Sequence, residues 1–144
     1  MSKRRVVVTG MGMLTPLGVD LESSWQGLTA GKSGIAPIQS FDTTDYPVRF
    51  GGHVPELDIS EYLPRKEARR MDGFMQYGLV AGIQAMRDSG LEVTDENRDR
   101  IGVAVGSGIG GIVTIETCHD VVNNRGPAKV SPFFVPSCII NMIA

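Results

Sequence analysis

"IGVAVGSGIGG", residues 101–111, decides how this chain is read. An uninterrupted apolar run, Ile101 to Val105, feeds a glycine-rich turn. That is how a buried strand delivers a loop at its carboxy-terminal end, where α/β folds place their ligands. The amino terminus repeats the pattern. In "RRVVVTGMGMLTPLG", residues 4–18, a strand is expected over 4–9 and is followed by Gly10 and Gly12.

Helical patterns lie between these runs. Asp20 is placed to cap a helix carrying Leu21, Trp25 and Leu28 on one face, with Gly31 to terminate it. Residues 34–63 are irregular and hold Pro37, Pro47 and Pro55, with a short strand expected around 48–54. The strongest helix follows Pro64. Met71, Met75, Leu79, Ile83 and Met86 recur at spacings of four and three, and Gly90 can end the run. Gly78, Ala81, Gly82 and Ala85 form a second face of small residues. An interior glycine costs about 1 kcal/mol relative to alanine, so this face predicts close packing and a central helix. A further helix is expected over about 109–123, and "SPFFVPSCIINMIA" ends in what reads as the first turns of another. Strand, helix, helix, strand, helix is an α/β order. Ile139, Ile140, Met142 and Ile143 are followed by no stop signal, so the polypeptide is expected to continue past Ala144.

The 144 residues are 42% hydrophobic and 21% charged, with a net charge of −2. This is a globular composition with no bulk attraction for nucleic acid. Neither a signal peptide nor a transmembrane run is present, and Cys118 and Cys138 form no disulfide framework. A cytoplasmic protein is expected.

Three stretches imitate nucleotide sites. Gly10 and Gly12 open a G-x-G-x-x-G, but its third position is Thr15 and the helix begins too late. "GLTAGKS", 27–33, is one residue short of a Walker A loop and lies at a helix end, whose dipole repels phosphate. Gly106, Gly108 and Gly111 do fit the dinucleotide spacing, yet no acidic residue follows about twenty positions later. A nucleotide-binding module on Gly106–Gly111 stays as an alternative.

Arg65, Lys66, Arg69 and Arg70 crowd the expected helix start, where cations oppose the helix dipole. Their placement against local stability points to an anionic partner, and Arg125 and Lys129 extend the same basic character. A Glu67–Arg70 pair is the structural alternative. His53, His119, Cys118 and Cys138 provide neither a metal-ligand spacing nor a nucleophile–base pair.

Four stretches taken together, "RRVVVTGMGMLTPLG", "RRMDGFMQYGLVAGIQAMRDSGL", "IGVAVGSGIGG" and "SPFFVPSCIINMIA", resemble the amino-terminal part of the elongating beta-ketoacyl-acyl-carrier-protein synthase II family. The resemblance covers the whole of 1–144 and implies one incomplete domain. The implied fold is part of the amino-terminal half of a thiolase-like five-layer α/β/α/β/α homodimer. The implied reaction passes an acyl group from carrier protein to a cysteine and condenses it with decarboxylated malonyl-carrier protein, with no cofactor or metal. The catalytic cysteine and two histidines are expected beyond Ala144, so residues 1–144 alone are expected to be inactive. A non-catalytic carrier-binding or dimerisation piece is a further alternative. By resemblance, Lys66, Arg69, Arg70 and Lys129 dock the acidic acyl carrier protein. Ala128 stands where relatives carry a basic residue. Ile109 gates the acyl pocket, and Phe134 lies where that pocket meets the dimer interface.

Overall fold

Local signals fix most of the helices. The computed structural model describes residues 3–144. Helix α1 spans Leu21–Thr29, and Asp20 caps it by accepting from the Ser23 N–H at 2.7 Å. It ends in a Schellman arrangement: Lys32 N–H donates to Gly27 O, Gly31 N–H donates to Leu28 O, and Gly31 takes φ +65°. The buried residues of α1 are Ser24 and Gly27, whereas Trp25 and Leu28 are about 60% exposed (59% and 60%). The expected apolar face is therefore not the packed one. Small residues sit inward because Leu17 and the Thr15–Gly18 turn press against them: Ser24 shares a hydrogen bond with Thr15 Oγ1, and a Cβ on Gly27 would lie 3.0 Å from Leu17 Cβ.

The expected strand at 48–54 forms as β2, Phe50–Gly52, antiparallel to β1, Ile35–Pro37. The strands expected at 4–9 and 101–106 do not form. Both runs have no ladder partner among the described residues, and Val6 is 93% exposed. A strand exists only through a neighbour's hydrogen bonds, which valine content cannot supply.

The helix expected after Pro64 is broken in two. Helix α2 is Arg65–Ala68 and α3 is Gly73–Ser89. Gln76 Nε2 donates to Ala68 O and Met71 O, satisfying carbonyls released where α2 stops. Asp72 starts α3: its carbonyl accepts from Met75 and Gln76, and its Oδ1 from Phe74 N–H. Helix α4, Ile112–Arg125, begins three residues later than expected, and α5, Phe134–Cys138, precedes a last 3₁₀ turn.

The chain forms two compact units, Met1–Asp58 with Ala81–Leu91, and Ile59–Val80 with Glu92–Ala144. In the first, residues 10–13 lie against α3. A Cβ on Gly12 would strike Ala81 O, and one on Gly10 would strike Ala85 O. Met11 N–H donates to Asp88 and Met13 N–H to Gln84, whose amide donates to Val19 O. The close packing expected of the small-residue face of α3 is thus made at Ala81 and Ala85, whereas Gly78 faces the Ile143 side chain and a Cβ on Gly82 would meet nothing within 4 Å. In the second unit Ala68, Met75 and Val80 form the buried apolar core, and Val80 is fully buried. Met86, the last of the recurring apolar positions, is exposed.

Candidate functional site

The second unit holds a groove of about 290 Å³ whose lining includes Arg69, Arg70, Lys129, Val121, Phe133 and Phe134. Three of the four cations expected to dock a partner thus share one opening with an expected pocket residue. Lys66 lies on α2 outside that lining, and Ile109 lies on the turn before α4, 70% exposed and also outside it.

Of the basic stretch only Arg65 and Lys66 open a helix, the four-residue α2. Arg69 caps the carboxy-terminal end of α2, and Arg70 follows it. Cations there do not oppose a dipole, so the argument from helix instability fails for Arg69 and Arg70. The Glu67–Arg70 pair does not form either. Arg70 lies over the Phe133 ring, 4.5 Å from its centroid, and its carbonyl accepts from buried Ser137 Oγ at 2.7 Å.

Sequence reasoning missed Asp72, which is only 7% exposed. Its Oδ2 accepts from Thr114 N–H at 2.8 Å and from Thr114 Oγ1 at 2.7 Å. An aspartate directly before Gly73 is a helix-start signal, and the assumption of one continuous helix hid it. Its carboxylate occupies the amino-terminal turn of α4, where a dinucleotide's pyrophosphate would have to rest. Gly110 and Gly111 of "GSGIGG" serve packing. Gly110 takes φ +80°, and a Cβ on it would meet Cys138 O at 2.8 Å. One on Gly111 would meet Ser137 O at 2.5 Å and Cys138 Cα at 2.8 Å. A Cβ on Gly106 or Gly108, by contrast, would meet nothing within 4 Å.

Burial, and then the charges of Asp72 and Cys118, push the Cys138 thiol above its ordinary range, which disfavours the thiolate. The exposed His119 sits by Asn123 and Asp120 on α4, and His53 belongs to the other unit. Among the described residues, no three His, Cys, Asp or Glu side chains cluster as metal ligands, and no helix is long and apolar enough to cross a membrane.

The model of the beta-ketoacyl synthase amino-terminal domain matches residues 3–144. The chain belongs to this family. It is 62% identical over its full length to 3-oxoacyl-[acyl-carrier-protein] synthase 2 of Vibrio cholerae, and spans 35% of that relative. Among solved structures, the ishigamide ketosynthase/chain length factor matches with a TM-score of 0.79 at 26% identity, over 99% of this chain and 36% of its own. A type II polyketide acyl-carrier protein in complex with its ketosynthase matches with a TM-score of 0.74 at 24% identity, over 95% of this chain and 37% of its own, and bears on the fold alone. The thiolase-like α/β fold expected from the sequence is therefore the fold of this ketosynthase segment, although its two valine-rich runs are unpaired here.

Proposed function

We propose that residues 1–144 are the amino-terminal part of a 3-oxoacyl-[acyl-carrier-protein] synthase of type II fatty-acid biosynthesis, the part that receives the carrier and borders the acyl pocket. The observation that carries this reading is the groove itself. Arg69, Arg70 and Lys129 line an opening that Val121, Phe133 and Phe134 make apolar. Such an opening suits docking of an acidic carrier, because cations attract the carrier and apolar walls gain by being covered. Lys66, one turn earlier, extends the basic surface.

In this reading the acyl group passes from the carrier's thiol to a cysteine beyond Ala144, forming a new thioester and releasing the carrier thiol. Malonyl-carrier protein then loses carbon dioxide. The resulting carbanion attacks the acyl-enzyme carbonyl and expels the cysteine thiolate, leaving a 3-oxoacyl chain two carbons longer. Two histidines, also beyond Ala144, assist. Ile109 gates the acyl tail, and Phe134 lies where the pocket meets the dimer partner. The protein works in the cytoplasm as a homodimer. The raised Cys138 thiol supports placing the nucleophile elsewhere. The exposed valines of both unpaired runs support covering by further chain. A nucleotide at Gly106–Gly111 is disfavoured by the Asp72 carboxylate at the same helix start.

The test compares residues 1–144 with the full-length polypeptide, each given acyl- and malonyl-carrier protein. The full-length polypeptide should form the elongated 3-oxoacyl product, and 1–144 alone should not. Turnover by 1–144 would overturn this division of roles. Carrier binding without turnover by the full-length polypeptide would replace the synthase with a non-catalytic carrier-binding protein.

A further inference from the structure

Helix α4 begins in a conflict. Its N-cap position is Gly111, which has no side chain to satisfy the first amides. Gly111 cannot become Ser, Asp or Asn, because any Cβ there would collide with the backbone of Ser137 and Cys138. The missing cap comes from another element. Asp72, 42 residues earlier, takes both the amide and the hydroxyl of Thr114 on one carboxylate oxygen. The same residue starts α3 with its carbonyl and its other carboxylate oxygen.

Two further ties run alongside this one. Ser137 Oγ donates to Arg70 O, and Gly111 N–H donates to Cys138 O at 3.4 Å. Segments 70–72, 110–114 and 137–138 are thereby pinned to one another. All three belong to the same unit. Arg70 is one of the proposed docking cations, and Ile109 directly precedes the pinned glycines. Ile109 itself is 70% exposed and has little packing of its own to hold it. Its position is set by the pinned residues next to it in the chain, together with the Gly110 N–H donating to Ser107 Oγ at 3.0 Å across the turn.

We propose that Asp72, acting through Thr114, is a positioning residue that holds the Ile109 turn in place beside the carrier-docking segment, so that Ile109 discriminates acyl tails by length. This deepens the synthase reading and rests on it. Asp72 touches no acyl group. It acts by denying the turn the freedom to swing aside. A hydrogen bond to a charged group is stronger than a neutral one, and leaving a half-buried amide unmet carries a further penalty. The pair is therefore suited to hold a loop that glycines make pliable.

The test is a double-mutant cycle in the full-length polypeptide, read as acyl-enzyme formation with long and short acyl-carrier donors. Ile109→Phe should lower the long-to-short ratio, because the ring blocks the long tail while the turn is fixed. Adding Asp72→Asn, which keeps one acceptor oxygen but removes the charge, should loosen the turn and raise that ratio again, by about fivefold or more, the scale of the difference between a charged and a neutral hydrogen bond. Thr114→Val should act as Asp72→Asn does, and Thr114→Ser, which keeps the hydroxyl, should not. Merely structural damage would lower both donors together and could not restore the long one. If the ratio of Ile109→Phe is unmoved by either Asp72→Asn or Thr114→Val, the positioning role is wrong and the synthase reading stands. If the unmutated protein forms no acyl-enzyme, or Ile109→Phe spares the ratio, the synthase or gate reading fails and takes this one with it. Should Asp72→Asn not fold, the Thr114→Val arm decides alone.

Discussion

Arg70 and Phe133 form a cation–π pair, with the guanidinium carbon 4.5 Å from the ring centroid. The contact gives one cation of the basic stretch a fixed place at the groove while Arg69 and Lys129 stay unpaired by it. Exposed cation–π pairs contribute about 0.5–1 kcal/mol. Phe133→Leu should lower stability by about that amount, and a cycle with Arg70→Met should recover the same coupling. Denaturant unfolding of the four proteins measures it. A coupling near zero would make the stacking incidental.

Gly12→Ala should destabilise by about 1–3 kcal/mol, since its Cβ would strike the backbone of α3 at Ala81 and 2.8 Å from Ala85 N, where no side chain can move away. Gly82→Ala, on the same helix with nothing within 4 Å, should instead stabilise by up to about 1 kcal/mol. Thermal unfolding of both variants checks the contrast. Equal effects would mean that residues 10–13 do not pack on α3 this closely.

Asp20→Ala should cost about 1 kcal/mol at neutral pH by removing the α1 cap. The Ser23 amide, then the Ser23 hydroxyl, hold the Asp20 carboxyl below its ordinary 3.8. A lowered folded value means that the ionised cap stabilises fully above the unfolded value and loses this contribution as pH falls through the folded one. The difference between wild type and Asp20→Ala should therefore shrink below about pH 4. A difference independent of pH would show that the charge is not involved.

Alkylation of Cys138 by iodoacetamide at about pH 8 should be slower than that of a free model thiol, because burial and the Asp72 charge both resist ionisation. Equal rates, by mass spectrometry of the labelled peptide, would contradict the burial of this thiol and reopen it as a nucleophile.

What could be read from the sequence was what neighbours in the chain decide. Asp20 as a cap, Gly31 and Gly90 as stops, and the small face holding Ala81 and Ala85 all depend on residues within a few turns or on one tight contact. The failures were non-local. The valines of 6–8 and 101–105 have strand chemistry, but a strand needs a partner that their own sequence does not contain. The break at Asp72 depends on Gln76 reaching back and on Thr114, 42 residues ahead. Trp25 and Leu28 marked an apolar face, yet the neighbouring turn selected Ser24 and Gly27 for burial. At the site, the basic stretch was visible at once, but the groove that gathers Arg69, Arg70 and Lys129 with Phe134 was not.

The most direct test of the account is carrier dependence in the full-length polypeptide with Lys66, Arg69 and Lys129 changed to Glu. Arg70 is left intact because it packs on Phe133. Reversed rim charges act mainly on association and are screened over about 10 Å at 0.1 M salt. The measurement is kcat/KM with acyl-carrier protein divided by kcat/KM with a carrier-free acyl-pantetheine thioester. If the groove docks the carrier, this ratio falls by about tenfold or more at low salt, through a higher KM for the carrier, and recovers as salt is added, while Tm stays near wild type. Equal loss with both substrates, or a collapse of Tm, would show that these cations serve the fold and that the groove is not where the carrier docks.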